Sequence, residues 1–403
     1  MSGMIDAASA HRIAPVENGG RGVEPPRRAV AMRGQTVDPE SCRDRMRDWI
    51  FKQPRVVGDM LKGLGSITPE LLGEHAHRIL EGTDSVLILA CGGSYHAALL
   101  ARNWIESLAK VPVSIEFASE FRYRDSVANP RSLVVAVSRK DDAADVIGAI
   151  ELAGRMGMQK TLAICDAPGD ALAHECALSF MTAAVIENGV RSEKPCITTL
   201  IALFLLALVL ARSRHVLASQ DERRQLRALH DLPGAMNEVL ALDPGITAWA
   251  GRLARSSNML FLGRGMHHPV AMEGALNMKE NASIHAEAFP AGELKHGPLA
   301  LVSAEMPVVV TAPNDRLLEK LKSNLQAVRA RNGKLFVFAD TNCSLPTGAN
   351  LEVMRLGEHY GLLSPVLHII PMQLLACHAA FARVAQWSAS KAPHDSAQTV
   401  AAD

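Results

Sequence analysis

VLILA at 86–90 runs into a glycine turn, CGGS, and then into a helix from about Tyr95 to Leu108; about 170 residues further on, MLFLG at 259–263 runs into a second glycine turn, GRGM, and a second helix. A short, continuous apolar run bounded by turn residues fits a strand buried on both faces. The first copy continues with VSIEF (113–117), LVVAV (133–137), a helix through Ile150 and TLAIC (161–165). The second continues with PVVVT (307–311), a helix through Arg331, KLFVFA (334–339) and LEVMRL (351–356). Apolar strands alternating with amphipathic helices predict a parallel sheet covered on both sides, and the repeated spacing predicts an internal duplication. The expected fold class is α/β, with two tandem three-layer αβα units, each a parallel sheet flanked by helices in the flavodoxin-like manner.

The flanking segments set the expected boundaries. Residues 1–38 are rich in Gly, Pro and Arg without apolar period, which predicts a disordered arm. A helical lead-in follows over 39–82, with Thr68 as a cap ahead of Pro69. The first domain is expected over 83–215, a helical connector over 216–255, the second domain over 256–386, and a polar tail over 387–403. The chain has 403 residues, 48% of them hydrophobic, enough to bury a large core. Its formal charge of +0 gives no reason to expect nucleic acid or an anionic membrane as partner. The 7 cysteines are scattered and without CxxC spacing, which fits reduced core thiols. The apolar run at 197–211 is shorter than the ~20 residues a bilayer needs and is bounded by Lys194 and Arg212, so a buried helix is expected. The early apolar stretches are interrupted by Asp6, His11 and Arg12, unlike a signal peptide, and cytoplasmic residence is the expectation.

The chemistry concentrates in EGALNMKENASIHAEAFPAGELKHGP, residues 273–298. Glu273 and Glu280 are a heptad apart, close to one face of a helix beginning near Pro269. The helix should end before His285, and AFPAGELKHGP, with Pro290, Gly292, Gly297 and Pro298, predicts a loop that presents His296. A carboxylate and an imidazole in one cleft suit general acid and base work, in which one proton leaves carbon and another leaves oxygen. A second signal lies in the first series. The turns CGGS (Gly92, Gly93, Ser94) and SRKDD (Ser138, Arg139, Lys140) leave strand C-termini, where open α/β sheets bind ligands, and a glycine turn ahead of a helix offers N–H groups to an anion.

Several long segments in one order carry a family resemblance: LACGGSYHAALLARNW, EFASEFRYR, LFLGRG and GELKHGPLALVSAEMPVVVTAPND. From about residue 43 onward the chain resembles the sugar isomerase (SIS) domain family, and within it the isomerase half of the glucosamine-6-phosphate synthases. The resemblance implies that Glu280 shuttles a proton, that His296 opens the sugar ring, and that Glu273 is the first helix carboxylate of the site. It implies phosphate binding at Gly92, Gly93, Ser94 and Ser138, and places Val190, Ser192 and Lys194, in GVRSEKP, beside the sugar. The loop at 138–143 departs from the family pattern, with Arg139 and Lys140 as cations that could replace missing hydroxyls. Asn277 stands where the family has an active-site lysine. Gln398, in the tail, stands where the family has its imine-forming lysine, and an amide nitrogen is not nucleophilic. The glutaminase domain of those synthases is not in this sequence.

These expectations leave three functions open. One is a sugar-phosphate enzyme that deaminates or deglycates an amino-sugar phosphate by Glu280 and His296 proton transfer, needing no metal or organic cofactor. A second is an aminotransferase paralogue that uses free or partner-supplied ammonia. The third is a sugar-phosphate-binding regulator that has lost catalysis. The resemblance also implies a homodimer in which His296 serves the neighbouring subunit's site.

Overall fold

Both apolar series fold into five-stranded parallel sheets with the same strand order. The structure is a computed structural model that describes residues 39–138, 143–166, 170–182, 196–346 and 348–391. Helices α1 (Pro39–Met60) and α2 (Ala76–Leu80) lead into the first half. That half runs β1 (Ser85–Ala90), α3 (Gly92–Ala109), β2 (Val113–Phe117), α4 (Ala118–Phe121), β3 (Ser132–Val137), α5 (Ala143–Arg155), β4 (Thr161–Cys165), α6 (Ala171–Glu175), β5 (Leu178–Met181) and α7 (Cys196–Ser213). Helices α8 (Ser219–Leu240) and α9 (Asp243–Leu253) connect the halves. The second half runs β6 (Asn258–Gly263), α10 (His267–Ala282), β7 (His285–Pro290), β8 (Pro307–Ala312), α11 (Leu318–Arg329), β9 (Lys334–Ala339), β10 (Leu351–Arg355) and α12 (Ser364–Lys391).

The sheet orders are β2-β1-β3-β4-β5 and β7-β6-β8-β9-β10. Counted within each half, both read second, first, third, fourth, fifth, so the duplication inferred from spacing extends to topology. In this order the crevice for ligands opens outside the first and third strands, where the chain reverses direction across the sheet.

The halves are joined by helices. Helix α3 packs on α7, α10 packs on α12, and α3 and α10 meet each other. Trp104 and Phe204 meet edge to face at 5.1 Å between ring centres, and Trp104 Nε1 donates to the carbonyl of Leu362 at 2.9 Å, tying α3 to the segment before α12. Residues 197–211 of α7 are buried throughout, as the uninterrupted apolar run predicted; a helix apolar all round belongs in a core. Each Leu or Phe sealed there contributes about 1.5–3 kcal/mol. Among the described residues one helical stretch, Gly361–Ala385, is long and apolar enough to cross a bilayer, and 94% of its apolar window is buried inside the protein. Gly263 lets the second half close on itself: a β-carbon there would lie 1.9 Å from the carbonyl oxygen of His267, so any side chain would force β6 away from the start of α10. Among the described residues, Cys91, Cys165, Cys176, Cys343 and Cys377 form no disulfide.

Three local expectations are corrected. Residues 288–290 are not loop: they are the end of β7, an edge strand parallel to β6 with Asn258 opposite His285 and Gly263 opposite Pro290. The alternation of His285, Glu287 and Phe289 with small Ala residues fits a half-covered edge better than the glycines beyond it suggested. Helix α3 begins at Gly92 rather than near Tyr95, so the glycine turn is itself the first helical turn. Thr68 precedes a short 3₁₀ turn, Pro69–Leu72, and makes no side-chain cap bond. The arm at 1–38 lies outside the described residues, as does the tail beyond 391.

Candidate active site at the junction of the two halves

The site grows from the first turn of α3. Cys91 precedes it in extended conformation without a side-chain cap, so the N–H groups of Gly92, Gly93 and Ser94, which have no carbonyl four residues back within the helix, sit at its positive end. Ser94 is 4% exposed, inside this turn. Ser138 directly follows β3, is buried, and its N–H donates to the carbonyl of Ile164 at 3.3 Å. The two serines therefore sit at the ends of the first and third strands of the first sheet, the crevice the topology opens.

The far wall comes from the second half. Glu273 lies in the middle of α10 and is 5% exposed. Its Oε1 accepts from Asn277 Nδ2 at 3.1 Å, one turn along the same helix, and its Oε2 meets His96 Nδ1 of α3 at 3.0 Å. The same Oε2 lies 3.1 Å from where a β-carbon on Gly93 would sit, so the glycine admits the carboxylate to the turn. His268, at the start of α10, has its pKa lowered, first by burial and then by the charge of nearby His96. Imidazoles and a carboxylate thus converge where α3 and α10 meet.

The other expected residues divide plainly. Glu280 is on the last turn of α10, roughly 10 Å along the helix from Glu273 at 1.5 Å per residue, and is exposed. His296 follows the 3₁₀ turn Ala291–Glu293; its N–H donates to the Glu293 carbonyl at 2.9 Å and its side chain is exposed. Arg139, Lys140, Val190, Ser192, Lys194 and Gln398 lie outside the described residues. Sequence reasoning missed His96 and, beside it, His268. A usable signal existed: both post-turn helices carry histidine in their opening turns, His96 in one and His267 and His268 in the other.

A separate ionic cluster lies beyond β8 and β9. Asp340, 2% exposed, accepts from the backbone N–H of Asn314 at 2.7 Å and meets His359 Nδ1 and His368 Nε2, each at 2.9 Å. Burial pushes the Asp340 pKa up, but the two imidazole hydrogen bonds outweigh it and hold the carboxyl below its usual range. The bond to Asp340 raises the His359 pKa. His267 stacks edge to face on His368 at 4.5 Å, and complete burial drives its pKa well down. No group of three or more His, Cys, Asp or Glu side chains among the described residues is arranged to hold a metal ion.

Two copies of one parallel α/β unit, with an acid–imidazole pair where their helices meet, define a tandem α/β protein whose candidate site needs both copies. Residues 79–209 and 252–383 each match the SIS domain, and the chain belongs to the SIS domain family. It is similar to glutamine–fructose-6-phosphate aminotransferase [isomerizing] of Bordetella parapertussis, 51% identical over 92% of this chain and 61% of that protein. The protein of that name from Neisseria meningitidis is 48% identical over 84% of this chain and 56% of its own length. This chain thus spans about three-fifths of the curated relatives it matches. A solved C-terminal domain of glucosamine-fructose-6-phosphate aminotransferase from Francisella tularensis superposes with a TM-score of 0.80 at 39% identity, covering 84% of this chain and 96% of that one.

Proposed function

We propose that this chain is a sugar-phosphate enzyme that deaminates or deglycates an amino-sugar phosphate by proton transfer. The observation that carries this reading is the Glu273–His96 pair lodged against the first turn of α3, an acid–base unit beside an anion-binding helix start. The sugar-phosphate class is supported by relatives whose name contains fructose 6-phosphate. In this reading the phosphate lies at the N–H groups of Gly92, Gly93 and Ser94 and at Ser138, with Arg139 and Lys140 adding positive charge. Val190, Ser192 and Lys194 line the sugar, and Gln398 closes the site from the tail. Glu280 carries the proton between C1 and C2, and His296 assists ring opening, supplied by the neighbouring subunit of a homodimer.

The nitrogen is assigned to the substrate because neither Asn277 nor Gln398 can form an imine. The working domain boundaries remain 83–215 and 256–386, joined by 216–255. The amide at 398 also favours a second reading, a sugar-phosphate binder without catalysis. One experiment separates the two: incubate the protein in D2O with glucosamine 6-phosphate and with fructose 6-phosphate, with and without ammonium, and follow C1 and C2 by NMR. Solvent exchange is expected with the amino sugar; binding without exchange on any ligand overturns the enzyme reading.

A further inference from the structure

No expectation covered His96 in this crevice, and its chemistry is set by what surrounds it. Among the described residues it is the one ion-pair partner of Glu273, with side-chain exposures of 14% for the histidine and 6% for the glutamate. An ionised carboxylate only accepts hydrogen bonds, so this contact places a proton on Nδ1 of His96 and, in the neutral ring, leaves the lone pair on Nε2. The Nδ1 atoms of His267 and His368 are sealed in the core without partners, whereas neither ring nitrogen of His96 is. His96 and Gly93 are three residues apart on α3, hence on one side of that helix, the side on which Glu273 reaches both. A buried carboxylate that fixes the tautomer of a less buried imidazole is the arrangement by which proteins aim a general base. Among the described residues, Glu273 and His268, both on α10, are titratable groups placed against His96.

The geometry points to a dyad in which Glu273 positions His96, and His96 Nε2 carries protons to the nitrogen that the substrate loses. This rests on the proposed deamination and deepens it. Once Glu280 has moved the carbon-bound proton, the sugar carries a C=N bond. His96 takes a proton from a water as the water oxygen bonds to that carbon, and passes it to the nitrogen. It then takes the remaining proton of the new hydroxyl and passes it on too. The C–N bond breaks with its electron pair on nitrogen, the O–H pair becomes the carbonyl bond, and both protons of the water leave in ammonia. His96 ends as it began.

The test uses the full chain with glucosamine 6-phosphate, reading ammonia release and C1/C2 solvent exchange in parallel. His96→Asn is expected to lower ammonia release about 10²–10⁴-fold with KM within threefold, and to lower the ratio of release to exchange at least tenfold. Glu280→Gln, by contrast, should lose both together. His96→Gln serves as a second variant if the first fails to fold, and the pH–rate profile of either should lose one ionisation. Release at the wild-type rate, or an unchanged ratio of release to exchange, would overturn the proposal. ¹⁵N NMR of the wild-type histidines tests the dyad without turnover: Nδ1–H is expected for His96, and an Nε2–H tautomer overturns it. If the wild type exchanges protons yet releases no ammonia, the deamination itself falls and the water step falls with it.

Discussion

Glu273 Oε2 stands 3.1 Å from the place a β-carbon of residue 93 would take, so the glycine of the turn and the buried carboxylate are two sides of one fit. Replacing Gly93 with alanine presses a methyl group on a side chain already held by His96 and Asn277. Gly93→Ala is expected to cost about 1–3 kcal/mol, the usual range for overpacking a filled site. Urea denaturation measures it, and a variant as stable as wild type would show that α10 yields freely at this point.

Glu280→Gln should abolish solvent exchange at C1 and C2 while ligand affinity stays near that of the wild type. The amide keeps the shape of the side chain and cannot take a proton, and a general base is typically worth 10²–10⁴ in rate. Calorimetric titration alongside NMR in D2O checks both halves of the statement; exchange at the wild-type rate removes Glu280 from the reaction.

The buried His267 makes stability depend on pH. Its folded pKa lies well below the ordinary 6.5, so below about pH 6.5 the unfolded chain takes a proton that the native chain refuses. Stability therefore falls as the solution is acidified from that point, by at most about 1.4 kcal/mol per pH unit for one proton. His359 acts in the opposite sense: its pKa is raised, so its contribution is full below the ordinary value and is lost as pH rises through the folded one. His267→Asn should flatten the loss between pH 6.5 and 5 relative to wild type, measured as the difference in Tm across that range. An unchanged slope would mean that His267 is protonated in the folded chain.

Asp340→Asn leaves two imidazoles without their shared anion in a region where Asp340 is 2% exposed. Removing one partner of a buried pair costs about 3–5 kcal/mol, and the half-exposed His359 softens this toward the lower end. A fall in Tm of several degrees is expected. Because the carboxyl pKa is depressed, the wild-type contribution persists above its unfolded value of about 3.9 and is lost only as pH falls toward the folded one.

Gln398→Lys combined with Asn277→Lys should create a borohydride-trappable adduct with fructose 6-phosphate where wild type forms none. The second lysine lowers the pKa of the first and so raises its fraction of free amine. Mass spectrometry reads the outcome, and an adduct on the wild type would remove the argument for a nitrogen borne by the substrate.

The fold was legible because its signal is long and repeated: apolar strands separated by amphipathic helices identify themselves without tertiary context, down to the Val and Leu runs of β1, β3 and β8. What escaped depended on three-dimensional contact. The strand β7 hides behind Pro290 and Gly292, since an edge strand needs only one apolar face and its partner β6 is not visible in the local pattern. His96 escaped for a related reason: on its own helix it is one polar residue among alanines, and it acquires a role only from Glu273, 177 residues away. The heptad spacing of Glu273 and Glu280 was real but misleading about environment, because α10 buries its middle and exposes Lys279 and Glu280 in its last turn.

The contact of His96 with Glu273 also has a mechanical side. One residue belongs to the first half and the other to the second, as do Trp104 and the Leu362 carbonyl it holds. Any ligand that engages both walls of this crevice binds the docked halves and not the separated ones, so its binding free energy is added to their docking. At a ligand concentration a hundred times Kd that addition is about 2.7 kcal/mol. The crevice then works as a clasp, and a substrate filling it would slow proteolytic nicking of the connector built from α8 and α9.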